Sequence, residues 1–189
     1  MLRPLINHRG TRPLQTNRLL LRQFTRDDAG AMFANWANDP DVCKYLSWPP
    51  HGDISVTQAL LETWVADYEN ENFYNWAIVF QNAPIGSIGL LLLDEAQAEA
   101  EVGFCLSKAH WSKGIMTEAL RAVLDFAFSE LGCKRLHAKH HVDNSASGKV
   151  LKKCGMRYIE TKLSSPALNP DKHMLCDCYE ICQGDIENI

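Results

Sequence analysis

The chain has 189 residues, 46% of them hydrophobic and 22% charged, with a formal net charge of −4. That length supports one domain with a sizeable core, and the acidic balance argues against direct nucleic-acid binding, whose footprint is basic. No apolar run reaches the roughly 18 to 20 residues of a membrane span. The first sixteen residues lack the apolar segment of a secretory leader, so a cytoplasmic protein is expected. Seven scattered cysteines fit free thiols in a reducing setting.

Residues 1–16 carry Pro4, Gly10 and Pro13 among polar and basic side chains and read as an extended arm. Residues 17–183 follow as a single domain, and 184–189 as a tail. Arg18 to Phe24 is a strand candidate. Thr25 then caps an acidic first turn, and Ala29, Met32, Phe33 and Trp36 mark one face of a helix ending before Asp39-Pro40. Asp41 to Gly52, with Tyr45, Trp48, Pro49 and Pro50, reads as an aromatic-rich loop, since Pro-Pro cannot continue a helix. Ser55-x-x-Gln58 has the form of a capping box for a helix carrying Leu60, Leu61, Trp64, Val65 and Tyr68. Tyr74–Phe80 and Ile85–Leu93 read as strands joined through Gln81-Asn82-Ala83-Pro84.

Glu101 to Met156 carries the strongest pattern. An alternating strand, Glu101 to Leu106, leads to Trp111-Ser112-Lys113-Gly114-Ile115-Met116-Thr117-Glu118. A helix follows, with Met116, Leu120, Val123, Leu124, Ala127, Phe128 and Leu131 at helical spacing and Gly132 just past its end. Strand Arg135 to Val142 then leads to Asn144-Ser145-Ala146-Ser147 and a short helix closed by Gly155. A helix opening on a glycine turn presents unpaired N–H groups and a positive dipole end, which suits a phosphate. In the last strand Cys176 and Cys178 share a face, with Cys182 nearby. They read as small buried hydrophobes, and no metal is expected.

These residues resemble the GNAT acetyltransferase superfamily, whose acetyl-CoA loop reads Gln/Arg-x-x-Gly-x-Gly/Ala. Only Gly114 matches that loop strictly. Trp-x-Lys-Gly-x-x-Thr-Glu-Ala, with the later Asn-x-x-Ser and Lys-x-Cys-Gly-Met, is similar to the ribosomal-protein N-terminal acetyltransferases of the RimJ/RimL type. The resemblance runs from about Arg18 to about Ile181. It implies an α/β (α+β) fold with a mixed, largely antiparallel central sheet flanked by helices, and central strands that splay into an acetyl-CoA cleft. It implies acetyl-CoA as cosubstrate, held by the backbone and side chains of Phe104, Cys105, Leu106, Trp111 to Thr117, Asn144, Ser147 and Lys149.

Acetyl transfer needs a neutral amine, a polarised thioester and some protonation of the departing thiolate. Glu101 occupies the strand position where several GNAT enzymes carry a glutamate acting through water, and Glu99 is its rival two residues earlier. Alternation puts Glu101 with Gly103 and Cys105, opposite Val102, Phe104 and Leu106, without saying which face lines the cleft. Many family members use a tyrosine seven residues after the motif asparagine as general acid. Leu151 stands there, so the resemblance shifts the role to Ser147, which otherwise is an ordinary residue of a helix capped by Asn144. Tyr45 and Trp48 are expected to wall the acceptor pocket, unless both are ordinary core aromatics. His140 is either a relay or a satisfied buried histidine. His137 and His141 fall on the face opposite His140.

The expected reaction is direct attack of a primary amine on acetyl-CoA in a ternary complex. The expected acceptor is a protein N-terminal α-amino group; polyamines or aminoglycosides are the alternative. A CoA-binding regulatory module without turnover is a third reading, and a phosphate-loop nucleotide protein a weak fourth, since Gly-x-x-x-x-Gly-Lys-Ser/Thr is absent. A monomer or homodimer is compatible with the sequence.

Overall fold

The computed structural model describes residues 5–165 and 173–188. Met1–Pro4 of the arm and Ile189 of the tail lie outside them. Eight strands form one sheet in the order β1-β2-β3-β4-β5-β6-β8-β7. They are β1 (Leu14–Gln15), β2 (Leu19–Arg22), β3 (Tyr74–Phe80), β4 (Ala83–Asp94), β5 (Glu99–Leu106), β6 (Arg135–His141), β7 (Arg157–Ser164) and β8 (Met174–Cys182). Every neighbouring pair is antiparallel except β5 and β6. The β3–β4 hairpin turns on Gln81 and Asn82, both at positive φ, as a tight two-residue turn requires.

Helix α4 (Ile115–Ser129) packs on one face of the sheet. Each apolar position expected from its spacing is buried there: Met116, Leu120, Val123, Leu124, Ala127 and Phe128, with Leu131 beyond its end. Burial of side chains of that size stabilises by roughly 1.5–3 kcal/mol each. Gly132 takes φ +76° where the chain leaves the helix. Helix α5 (Ser145–Lys153) contributes Leu151 to the same core.

The opposite face of β2–β5 is covered by helical segments that differ from the expected pair. The first is composite: a 3-10 turn Arg26–Asp28, helix α1 (Ala29–Met32), then a wide turn Phe33–Ala37 in which Asn38 N–H reaches Phe33 O, five residues back. A short helix α2 (Pro40–Cys43) opens the stretch read as loop, because Pro40 fits a first helical position and the Asp39 carboxylate caps it. Helix α3 (Ile54–Asp67) begins before the supposed box. Asp53, in extended conformation, accepts from Ser55 N–H at 2.8 Å, so Ser55 lies inside the helix. Phe24, Met32, Trp36, Leu61, Ala77 and Val79 fill this second core.

The described part of the arm is woven into the sheet. Ile6 and Thr11 are buried, and β1 pairs with β2. Thr11 Oγ1 donates to Phe73 O at 2.8 Å, and Trp76 Nε1 donates to Arg12 O at 2.6 Å.

Candidate active site

β5 and β6 pair only at Glu99–Arg135, Ala100–Leu136 and Glu101–His137. Beyond that point β5 runs on to Leu106 and β6 to His141 without laddering to each other. The central strands therefore part immediately after Glu101, leaving a V whose backbone groups can serve a ligand.

Packing decides the face that alternation left open. Ala100, Val102, Phe104 and Leu106 join the α4 core, so Glu99, Glu101, Gly103 and Cys105 look to the other side. Glu101 Oε2 accepts from Lys139 Nζ at 2.9 Å. Glu99 bonds His137 Nε2 at 2.9 Å and lies 3.6 Å from Arg135. Glu99 thus sits at the closed end of the pairing and Glu101 at the opening. Lys139 and His141 share Glu101's face, and the Tyr45 ring stacks on His141 with centroids 5.2 Å apart. Tyr45 thereby bridges the segment after α2 to the mouth of the V. Trp48 instead packs against the α1–α3 core and tilts against His51 at 5.1 Å.

His140 does not join this group. The burial rhythm of β6 turns Leu136, Ala138 and His140 inward beneath the helices. There His140 stacks on Tyr179, centroids 5.4 Å apart, and Nδ1 bonds His141 O at 2.8 Å. A Cβ on Gly148 of α5 would lie 2.6 Å from His140 Nε2 and 3.2 Å from Cε1. Gly148→Ala should therefore cost about 1–3 kcal/mol by overpacking, since the stacked ring has little room to yield. Urea unfolding checks it, and a variant as stable as wild type would show that the ring moves freely.

On the other side of the V, Gly114 stands at φ +74°, ψ 2° as the residue before α4 and brings no capping side chain. The first amides of α4 thus face outward at the positive end of the helix dipole. Ser112, a non-glycine at φ +60°, adds backbone strain to the same loop. Ile115 and Met116 are buried, so only their backbone can meet a ligand; Lys113 and Lys149 are exposed. Phe104 and Leu106 likewise point into the core, and Trp111 Nε1 donates to Leu106 O at 2.8 Å, closing the end of β5 onto the loop. Lys108 Nζ donates to Asp41 Oδ2 at 2.5 Å and ties that loop to α2.

Glu118, an acidic residue in the first turn of α4, does more than complement the helix dipole. Its carboxylate accepts from Thr16 Oγ1 at 2.6 Å, Arg18 N–H at 2.8 Å and Arg18 Nε at 2.6 Å. Arg18 Nη1 also donates to Lys113 O at 3.0 Å. Burial alone would raise the Glu118 pKa, but these donors together hold it below the usual range. A groove of about 520 Å³ runs from Gly114 along α4, lined by Thr16, Arg18, Thr117, Arg121 and Lys153 among others. Glu118 lines it too and is ion-paired to Arg18, so Arg121, Lys153 and the open helix N-terminus are what fit the anionic, phosphate-bearing end of acetyl-CoA. A valine at this positive φ is strained by about 1–3 kcal/mol, so in Gly114→Val the free loop relaxes away from the binding conformation and acetyl-CoA binding should weaken by roughly 5- to 150-fold. Direct titration checks it, and unchanged affinity would contradict it.

Asn144 Oδ1 accepts from Ser147 N–H at 3.3 Å, capping α5 and placing Ser147 in its first turn. Leu151, at the tyrosine position, is buried in the core. Cys105 Sγ lies 3.2 Å from Ser87 Oγ, and burial pushes its thiol up, which disfavours a thiolate nucleophile. Burial also lifts Cys43 to about 12 and Cys133 and Cys154 to about 11. Among the described residues no group of three or more His, Cys, Asp or Glu is arranged to hold a metal ion. None of their helices is long and apolar enough to cross a membrane.

Comparison with known proteins shows the family and the fold. The sequence model of the Acetyltransferase (GNAT) domain matches residues 18–157. YoaA of Bacillus subtilis, named an uncharacterized N-acetyltransferase, is 34% identical over 146 residues, 76% of this chain and 82% of its own. YdaF of the same organism, provisionally named a ribosomal N-acetyltransferase, is 29% identical over 106 residues, 56% of this chain and 58% of its own. The microcin C7 self-immunity acetyltransferase MccE, solved with acetyl-CoA and AMP, superposes with a TM-score of 0.77 at 21% identity, covering 88% of this chain and 93% of that one. The chain belongs to the GNAT acetyltransferase family and is an acetyl-CoA-dependent N-acetyltransferase.

Proposed function

We propose that the acceptor is the α-amino group of a protein, in the manner of the RimJ/RimL type, and that the enzyme works in the cytoplasm. The observation that carries this reading is the placement of Glu101 where β5 and β6 part, on a face whose neighbours Arg135, His137, Lys139 and His141 are only half-buried. An open face of that kind admits the end of a polypeptide. An α-amino group, with a reference pKa of roughly 7.7–8.0 against roughly 10.4 for lysine, also asks little of its base. The provisional name of YdaF points the same way.

Bound acetyl-CoA supplies the thioester. The chain's own residues do the rest. The α4 amides, Lys113 and the cations of the adjoining groove hold the phosphates. Tyr45 and His141 wall the amine. Glu101 takes the amine's proton through an intervening water, and the Ser147 hydroxyl hydrogen-bonds the departing sulfur. No acetyl-enzyme is required, and Cys105 is poorly suited to form one.

The test is thiol release from acetyl-CoA against peptides with free Ala or Ser N-termini, the same peptides N-terminally blocked with an internal lysine, spermidine and an aminoglycoside. Release with the free N-termini is expected. Release confined to the small amines would transfer the site to them. Acetyl-CoA binding without release on any acceptor would favour a regulatory module.

A further inference from the structure

β7 ends the sheet, and among the described residues β8 is its only strand neighbour. Its residues Arg157 to Leu163 are all exposed; Ile159 is 49% and Leu163 66% accessible. A long edge strand bearing apolar side chains is a template for another strand. Its sequence says which one.

In an antiparallel pair, directly opposed residues share a sheet face. A strand that pairs with its own copy about a two-fold axis must therefore centre that axis on a residue. Centring on Glu160 or Lys162 sets like charges against each other, which is destabilising. Centring on Thr161 does the opposite. Glu160 then faces Lys162 of the second copy, and Lys162 faces its Glu160. On the other face Ile159 meets Leu163, also twice. The bulge against β8 falls at Ile159 itself, which has no partner in β8, so the regular ladder of β7 runs from Glu160 to Ser164 and Ile159 caps the proposed pairing at its outer end. Within one chain Lys162 Nζ already donates to Glu160 Oε1 at 2.5 Å, so the two side chains can exchange this contact for the equivalent one across the axis.

We propose that β7 is the dimerisation strand of this protein, pairing antiparallel with β7 of a second copy about Thr161 and joining the two sheets edge to edge. Backbone hydrogen bonds and the Ile159–Leu163 contacts supply the affinity. The exposed charge pairs are individually weak and act by setting the register. This inference does not rest on the identity of the acceptor.

The test is the solution mass of the full chain by light scattering, with Glu160→Lys, Lys162→Glu and the double swap Glu160→Lys/Lys162→Glu run at equal concentration. Circular dichroism confirms that each exposed-site variant is folded. Wild type should show twice the 21.3 kDa chain mass. Each single reversal makes both charge pairs repulsive in this register and should shift the mass toward the monomer, and the double swap should shift it back to the dimer. A monomeric wild type would overturn the proposal. So would a dimer unaffected by the single reversals, or a folded double swap that stays monomeric.

Discussion

Replacing Glu101 by Gln should lower turnover by about 10²- to 10⁴-fold and leave acetyl-CoA affinity essentially unchanged. The carboxylate stands at the last paired position before β5 and β6 part, while the loop proposed to hold the phosphates lies beyond the far end of β5. The amide keeps an oxygen for Lys139, so the 2.9 Å contact can survive in neutral form. Glu99→Gln is the matched control. Its partners His137 and Arg135 hold it at the closed end, and its loss should cost little turnover. Rates across a pH series and affinity by titration separate the two roles. Turnover of Glu101→Gln equal to wild type at every pH would remove Glu101 as the base.

Asp28→Ala should lower unfolding stability by about 3–5 kcal/mol, a large share of the roughly 5–15 kcal/mol typical of a domain. Asp28 is buried at 6% exposure. Its two oxygens accept from Arg22 Nη1 and Nη2 at 2.7 and 2.8 Å, and Oδ2 also accepts from Thr25 N–H at 2.8 Å. Truncation leaves the Arg22 guanidinium partly buried without its counter-charge. Burial alone would raise the Asp28 pKa; the Arg22 and Thr25 hydrogen bonds outweigh it, and the net shift is downward. A lowered folded-state pKa contributes stability that is complete above the unfolded value, about 3.9 for aspartate. That contribution fades as pH falls toward the lowered value. Urea unfolding of both proteins should therefore show a gap that is wide at neutral pH and narrows in acid. A gap that does not change with pH would contradict the ion-pair account.

Much of this was legible where the cause is local. The α4 stripe from Met116 to Leu131 could be read because one helix face meets one core, and Gly114 and Gly132 because each needs a positive φ. The alternation of β5 separated Glu101 from Val102, but only the long-range packing of α4 on one face and α1–α3 on the other tells which side opens outward. The parting of β5 and β6 was expected from family resemblance; no spacing in either strand encodes it. Lys139 was missed because its contact with Glu101 depends on a parallel register between distant segments. The contacts of Glu118 were hidden for the same reason, since its partners Thr16 and Arg18 lie about a hundred residues upstream. Of the two readings of His140, the buried one had a signal in the sequence: Leu136 and Ala138 set an inward rhythm that carries position 140 beneath α5. At Ser55 a serine motif was outcompeted by an aspartate two residues earlier that reaches the same amide.

The most direct measurement is calorimetric titration of the folded wild-type chain and of Gly114→Val with acetyl-CoA. Saturable binding by wild type, clearly weakened in the variant, is the predicted result. It would place the phosphates on the loop at the head of α4 and so align the thioester with the V that opens at Glu101. No binding by properly folded wild type, or equal binding by both, would contradict that placement.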